Sequence, residues 1–284
     1  MTSAVGALRI GEFARRVGIS PELLRAWERR YGLLQPIRSS GGFRLYTDDD
    51  ASRVEAMKIG LDEGLSAAES AQRVLAGQRP AESLLDDARV RLIGSVRDYD
   101  EVTAHQVLDD AFSGFALETV LQQLVLPALR EIGDEWERGE LDVAQEHFAS
   151  NLVRERLLAL ARLWGRGRGP LAILACAPGE RHDIGLIAFG LVLRSHGWRI
   201  LFFGADTPLS ALEQAASTTD PRIVVIAGTD SELLVAAASG LRRLGKSAPL
   251  VLSGPGASEE LSARLRLERL DDDLLVAAAA VSSS

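Results

Sequence analysis

The chain has 284 residues, enough for two or three domains, and 46% of them are hydrophobic, enough for packed cores. No apolar run reaches the ~18 residues of a membrane span. The N-terminal MTSAVGALRIGEF lacks a basic segment followed by an apolar one, and the single cysteine, Cys176, excludes an intrachain disulfide, so a cytoplasmic chain is expected. The net charge of −8 is unevenly placed: residues 1–46 carry eight arginines against three glutamates, net +5, which leaves −13 for the remainder. A short basic head on an acidic body is the asymmetry of a chain in which one module meets phosphate.

In chain order, Ile10 to Val17 reads as a short helix stopped by Gly18. Ser20-Pro21-Glu22 opens a second helix, with Ser20 as cap, Pro21 at the first position and Glu22 at the positive dipole end. Leu24, Trp27 and Tyr31 fall on one face for packing, while Arg25 and Arg29 point the other way. A helix that packs through aromatics and shows arginines outward suits the major groove. Ser39-Ser40-Gly41-Gly42 is a turn signal, and Phe43-Arg44-Leu45-Tyr46 alternates as a half-buried strand does, giving a hairpin wing with Arg44 and Tyr46 free for phosphate. Thr47 and three aspartates then cap another helix.

The string IGEFARRVGISPELLRAWERRYGLLQPIRSSGGFRLYTDDD resembles the DNA-binding head of the MerR family, over residues 8–76. The resemblance implies Arg25, Arg29, Arg30, Arg38, Arg44 and Tyr46 as DNA contacts, with Arg15 beside them. It also implies at least a dimer on near-palindromic double-stranded DNA, and Trp27 as a core residue rather than a contact. The head is set at residues 1–77.

Gly77-Gln78-Arg79-Pro80 reads as a linker. Helical periods follow over 81–98, 101–113, 116–137 and 141–164, a four-helix bundle spanning 80–165. Trp136 ends one helix, Gly139 turns the chain, Asp142 caps the next helix, and Glu146 and His147 sit one turn inside it. That turn can gather a flat ring and two polar groups at one end of the bundle, a surface able to cap a flat ligand.

Gly165-Arg-Gly-Arg-Gly-Pro170 reads as a second linker, and 169–284 as a third domain. LAILACA (171–177) is a continuous apolar run, as in a strand buried on both faces. Strands at 198–204, 222–228 and 249–254 alternate with helices at 184–196, 208–218, 231–244 and 257–266, while the tail stays ambiguous. The whole is a multidomain α and α/β chain: winged helix-turn-helix, four-helix bundle, and a flavodoxin-like (Rossmann-like) parallel sheet. The loop after the first strand lacks Gly-x-Gly-x-x-Gly, so nothing supports a dinucleotide site. It places His182 at the mouth of the sheet beside Glu180 and Asp183, with Gly185 allowing close approach of a bulky group. A metal-binding histidine needs its second nitrogen held by a carboxylate or carbonyl, and Glu180 is the expected holder.

Glu-x-His-x-x-Gly after an opening strand resembles the cobalamin-binding fold of methionine synthase and the mutases. Together with the head and with Trp-x9-Glu-His in the bundle, it makes the chain similar to the CarH/LitR photoreceptor repressors. The resemblance implies His182 as an axial ligand to the cobalt of cobalamin, and Trp136, Glu146 and His147 around an adenosyl group on the upper face. It implies a homo-oligomer (dimer or tetramer) that represses in the dark and falls apart in light. Thr229, Ser231, Gly254 and Gly256 stand where the cofactor tail would lie, the hydroxyls as donors and the glycines as room. The chain departs from the family at three places: Glu137 stands where light-responsive members often have a histidine, Ala227-Gly228-Thr229 replaces Ser-x-Leu, and Ser253-Gly254 replaces Gly-Gly. Two alternatives stay open: a MerR-type regulator whose sensory domain is degenerate or takes another ligand such as a tetrapyrrole, and a cobalamin enzyme. The latter lacks a second substrate domain and leaves the head unexplained. Cys176, His105 and His196 read as core or surface residues.

Overall fold

The computed structural model describes residues 8–38, 42–76, 81–162 and 164–283. They form two compact units, one up to Leu84 and one from Leu85 onward. The turn expected at Ser39-Ser40-Gly41 and the linker at 77–80 lie outside the described residues.

In the first unit the elements are β1 (Leu8–Arg9), α1 (Ile10–Val17), α2 (Pro21–Tyr31), β2 (Ile37–Arg38), β3 (Arg44–Tyr46), α3 (Asp48–Asp62) and α4 (Ala67–Ala76). Gly18 and Gly32 end α1 and α2 in the left-handed conformation, at φ 69° and 65°. Ser20 caps α2 by accepting from the Leu23 amide, and Thr47 forms a capping box with Asp50 at the head of α3. The strands pair antiparallel in the order β1-β3-β2, and Phe13, Leu24, Trp27, Leu33, Tyr46, Val54 and Met57 close the core.

α5 (Ala81–Arg97) runs across the boundary at Leu84, and α6 (Glu101–Gly114) follows in the second unit. One rod follows, made of α7 (Leu117–Val120), a π-helical turn (Leu121–Val125) and α8 (Leu126–Glu137). α9 (Val143–Leu160) completes the bundle. Pro127 stands in the first turn of α8. It has no N–H for the carbonyl four residues back, and its ring crowds that carbonyl, so a widened turn lets the rod continue.

Strands and helices then alternate: β4 (Leu171–Cys176), α10 (Ile184–Ser195), β5 (Arg199–Gly204), α11 (Leu209–Thr219), β6 (Ile223–Ala227), α12 (Ser231–Ala236), α13 (Ala238–Ser247), β7 (Leu250–Ser253), α14 (Glu259–Leu265), β8 (Glu268–Arg269) and α15 (Leu274–Ser283). The five strands are parallel in the order β5-β4-β6-β7-β8, the doubly wound flavodoxin-like arrangement. Alternation along β4 divides its side chains between two cores. Leu174 and Cys176 join α10, α15 and the bundle, whereas Ile173 and Ala175 join α11, α13 and α14.

Three expectations needed revision. The helix expected over 141–164 ends at Leu160, and Trp164 leaves it to pack edge-on against Phe202, 5.3 Å between ring centres. The Trp164 carbonyl accepts the Ile200 amide at 2.9 Å, and the Pro170 carbonyl accepts the Arg199 amide at 2.8 Å. The glycine-rich stretch after the bundle is therefore docked on the sheet rather than acting as a free linker. At Gly169 a Cβ would lie 2.0 Å from the Gly197 carbonyl oxygen, so the docking itself demands glycine. The helix expected over 231–244 breaks into α12 and α13, and the unassigned tail supplies β8 and α15.

Candidate ligand site and DNA-binding face

β4 delivers the chain to the carboxyl edge of the sheet, where ligands of such folds bind. There the side chain of Glu180 is buried and that of His182 is 76% exposed. Glu180 Oε1 lies 2.7 Å from His182 Nδ1 and accepts the His182 amide at 2.8 Å. Its other oxygen accepts both the amide and the hydroxyl of Thr229, each at 2.6 Å. With Nδ1 against a carboxylate, the ring is fixed and Nε2 faces outward with no hydrogen-bond partner among the described residues. Burial pushes the Glu180 carboxyl up. The hydrogen bonds from Thr229 and His182 outweigh that and hold it down at about 2.

The loop is clamped from two sides that the sequence did not reveal. Asp206, after β5, accepts the Gly179 amide at 2.7 Å and donates its own amide to the Glu180 carbonyl at 2.7 Å. Arg154 of α9 grips Asp183 through Nε at 2.9 Å and Nη2 at 2.8 Å. Asp183 is 2% exposed. Expected at the ligand, it is instead committed to the bundle, because a buried carboxylate needs a cation partner. The sequence signal for Asp206 was its place at the carboxyl end of a parallel strand. Arg154 carried none, since a pair 29 residues apart has no local pattern.

On α9, Ser150 donates to Glu146 Oε1 at 2.6 Å, and His147 pairs with the other Glu146 oxygen. Burial raises the Glu146 carboxyl, but these bonds and the charges of His147 and His182 pull it below the ordinary range. The His182 charge thus acts on Glu146, which puts the loop histidine within electrostatic range of the start of α9. Trp136 ends α8 at 47% exposure, while its neighbour Glu135 turns inward to Arg97. At Gly185 a Cβ would meet nothing within 4 Å, so the floor beside His182 is open. The donors suit a flat metal complex: an outward imidazole nitrogen with a buried carboxylate behind it and, within electrostatic range, Glu146 paired with a second imidazole.

The two glycines expected to leave room for a cofactor tail are packed on the Cβ side against backbone. A Cβ at Gly254 (φ 90°) would lie 2.7 Å from the Gly228 oxygen, and one at Gly256 would lie 2.7 Å from the Asp230 carbonyl carbon. Leu234 fills the side of Gly228 at 2.9 Å. These glycines let the loops after β6 and β7 close on one another. Thr229 spends its hydroxyl on Glu180, and Ser231 is exposed at the start of α12. Cys176 is a core residue whose thiol burial, aided by the charges of Asp183 and Glu180, pushes up to about 12. His105 pairs with Glu101 and His196 with Ser282, both away from the site.

In the first unit, Arg15, Arg25, Arg29, Arg30, Arg38 and Arg44 are all exposed. Arg38 and Arg44 are cross-strand partners on β2 and β3. Like charges placed opposite each other destabilise a hairpin unless an anion lies between them. Arg9, Arg25, Arg44 and Tyr46 line a cavity of about 260 Å³ with Phe43. Tyr46 departs from expectation: it is fully buried, stacked on Phe13 at 4.9 Å, and its hydroxyl donates to Glu28 at 2.9 Å. An aromatic ring gains more from the core than from solvent, so Tyr46 supports the wing from beneath.

Comparison with known proteins adds the following. Residues 8–77 match the MerR HTH family regulatory protein model, and residues 89–161 match the B12 binding domain model. The chain is 38% identical over 264 residues to the HTH-type transcriptional repressor CarA of Myxococcus xanthus, across 90% of this chain and 89% of CarA. It is 32% identical over 254 residues to the HTH-type transcriptional repressor CarH of the same organism, across 85% of each. The monomethylamine corrinoid protein of Methanosarcina barkeri superposes with a TM-score of 0.58 at 15% identity, over 68% of this chain and 95% of that one, a likeness of fold.

Proposed function

The chain belongs to the family of helix-turn-helix transcriptional repressors that includes CarA and CarH, and from that premise we propose that a cobalamin held between α9 and the His182 loop controls its DNA binding. The observation that carries this reading is the outward Nε2 of His182, backed by the Glu180–Thr229 network. His182 would hold the cobalt, and Trp136, Glu146 and His147 would contact the group from α8 and α9. Bound as adenosylcobalamin, the group would supply a cobalt–carbon bond that visible light breaks. Residues of α9 and α8 then make contacts in one state alone, which biases a two-state homo-oligomer. The head's net +5 is small for tight binding by one copy. Change of oligomeric state is therefore the switch.

The test is reconstitution with adenosylcobalamin in the dark, desalting, and measurement of spectrum and mass before and after illumination. A coloured protein whose mass falls on illumination supports the full reading. Colour without a mass change leaves ligand sensing and removes light. His182→Ala should lower retention roughly tenfold or more, as loss of a ligand or its support does.

The closure of Gly254 on Gly228 favours a second reading, a ring ligand without a nucleotide tail. Cobinamide and haemin titrated beside cobalamin separate the two. Stronger binding of a tailless ring would establish the second reading and remove the first.

A further inference from the structure

Within the basic face of the head stands one partly buried carboxylate. Glu28 lies on α2 with its side chain 19% exposed. Both its oxygens are used: Oε2 accepts from the Tyr46 hydroxyl at 2.9 Å, and Oε1 lies 3.0 Å from Arg44 Nε. Tyr46 is fully buried and stacked on Phe13 in the core, so it anchors the carboxylate as well as the strand beneath it. Arg44 is 57% exposed, and among the described residues only its Nε is taken. The two outer nitrogens of its guanidinium remain as a planar fork beside Arg25 at the rim of the cavity. Across the hairpin stands Arg38, whose like charge repels Arg44 and would drive it away from that rim.

We propose that Glu28 is a positioning residue for DNA: from the recognition helix it holds Arg44 Nε against the repulsion of Arg38, so that the outer fork of Arg44 presents to a backbone phosphate. The acidic residue thereby strengthens binding to a polyanion. It also ties wing to helix, so that the phosphate contact and the groove contacts keep one register.

The test uses the full chain and a fluorescent 40-bp duplex taken from a randomised pool by selection on the wild-type protein in the same buffer. Affinities are measured over a range of salt. Arg44→Ala should weaken binding about tenfold and shallow the slope of log K against log salt by about 0.9 per head, the loss of one phosphate contact. Glu28→Ala should reproduce most of both effects, and the double variant should be no weaker than Arg44→Ala. Glu28→Gln, which still accepts from Nε, should recover most of the affinity. Because Glu28 is partly buried, Arg44→Lys is an independent arm at an exposed site. The lysine ammonium would be captured by Glu28 itself, so this variant should bind like Arg44→Ala. A Glu28→Ala protein that binds as tightly as wild type with an unchanged slope, additive effects in the double variant, or an Arg44→Lys protein indistinguishable from wild type would each overturn the proposal.

Discussion

Glu180 does two jobs with one carboxylate: it orients His182, and it satisfies the amide and hydroxyl of Thr229. Its folded pKa, about 2, lies below that of an unfolded glutamate. A depressed carboxyl stabilises the fold above the unfolded pKa, and that stabilisation is lost as pH falls through the folded value. The contribution is on the order of 3 kcal/mol when fully present. It should therefore be intact at neutral pH and vanish between about pH 4.5 and pH 2. Urea unfolding of wild type and Glu180→Gln should show a gap at pH 7 that narrows on acidification, and a gap constant with pH would refute this account. The pairing of Glu180 with His182 was legible because a two-residue spacing in one loop leaves few partners. The buried state of Tyr46 was not. A period-two strand shows which residues alternate, and the pattern alone assigned Tyr46 to the wrong face.

At the scale of elements, α9 joins the parts of the site. Glu146 closes its first turn and His147 opens the second, Arg154 reaches Asp183 two turns further on, and the chain beyond it enters the sheet core at Trp164. A displacement at its first turn has no flexible joint to absorb it before the His182 loop. Arg154→Ala would leave Asp183 buried and unpaired. The expected loss is about 2 kcal/mol, below that of a fully buried pair because Arg154 is 43% exposed. Amide exchange over residues 179–184 should quicken at the same time, and unchanged exchange there would show that the clamp does not order the loop. Asp183→Asn in the Arg154→Gln background removes both charges and should restore much of the stability. The strands β4 to β7 were legible because continuous apolar runs of four to seven residues suit a doubly covered sheet. The end of α9 was not, since the helical period runs on through a tryptophan that only tertiary packing draws away.

At the scale of the molecule, a head of +5 rides on a body of −13. The body's negative charge repels nucleic acid, and at 0.1 M salt that repulsion is screened beyond about 10 Å. Salt screens that repulsion as well as the head's attraction, so the loss of affinity with salt should be shallower than the head's phosphate contacts alone would give. If illumination divides the oligomer, the slope of log K against log salt should shrink in proportion to the heads released. A slope identical in dark and light would count against control by assembly. Among the described residues no helix is long and apolar enough to cross a membrane.

The π turn at Leu121–Val125 has a consequence for Trp136. One residue more than an α-turn needs is wound into a rod whose Leu121, Leu124 and Val125 are fully buried. Each added residue advances an α-helix by about 100°. The apolar stripe before the turn and the ring at the far end of α8 are thus out of phase by one residue, so the azimuth of the indole is a choice of winding. One residue inserted within α8, where no π turn absorbs it, should swing Trp136 about 100° around the axis, whereas removal of Gln122 should convert the π turn to α-helix and leave the ring in place. Tryptophan fluorescence quenching would detect the swing, and unaltered quenching in the insertion variant would mean that the winding is not what aims the ring.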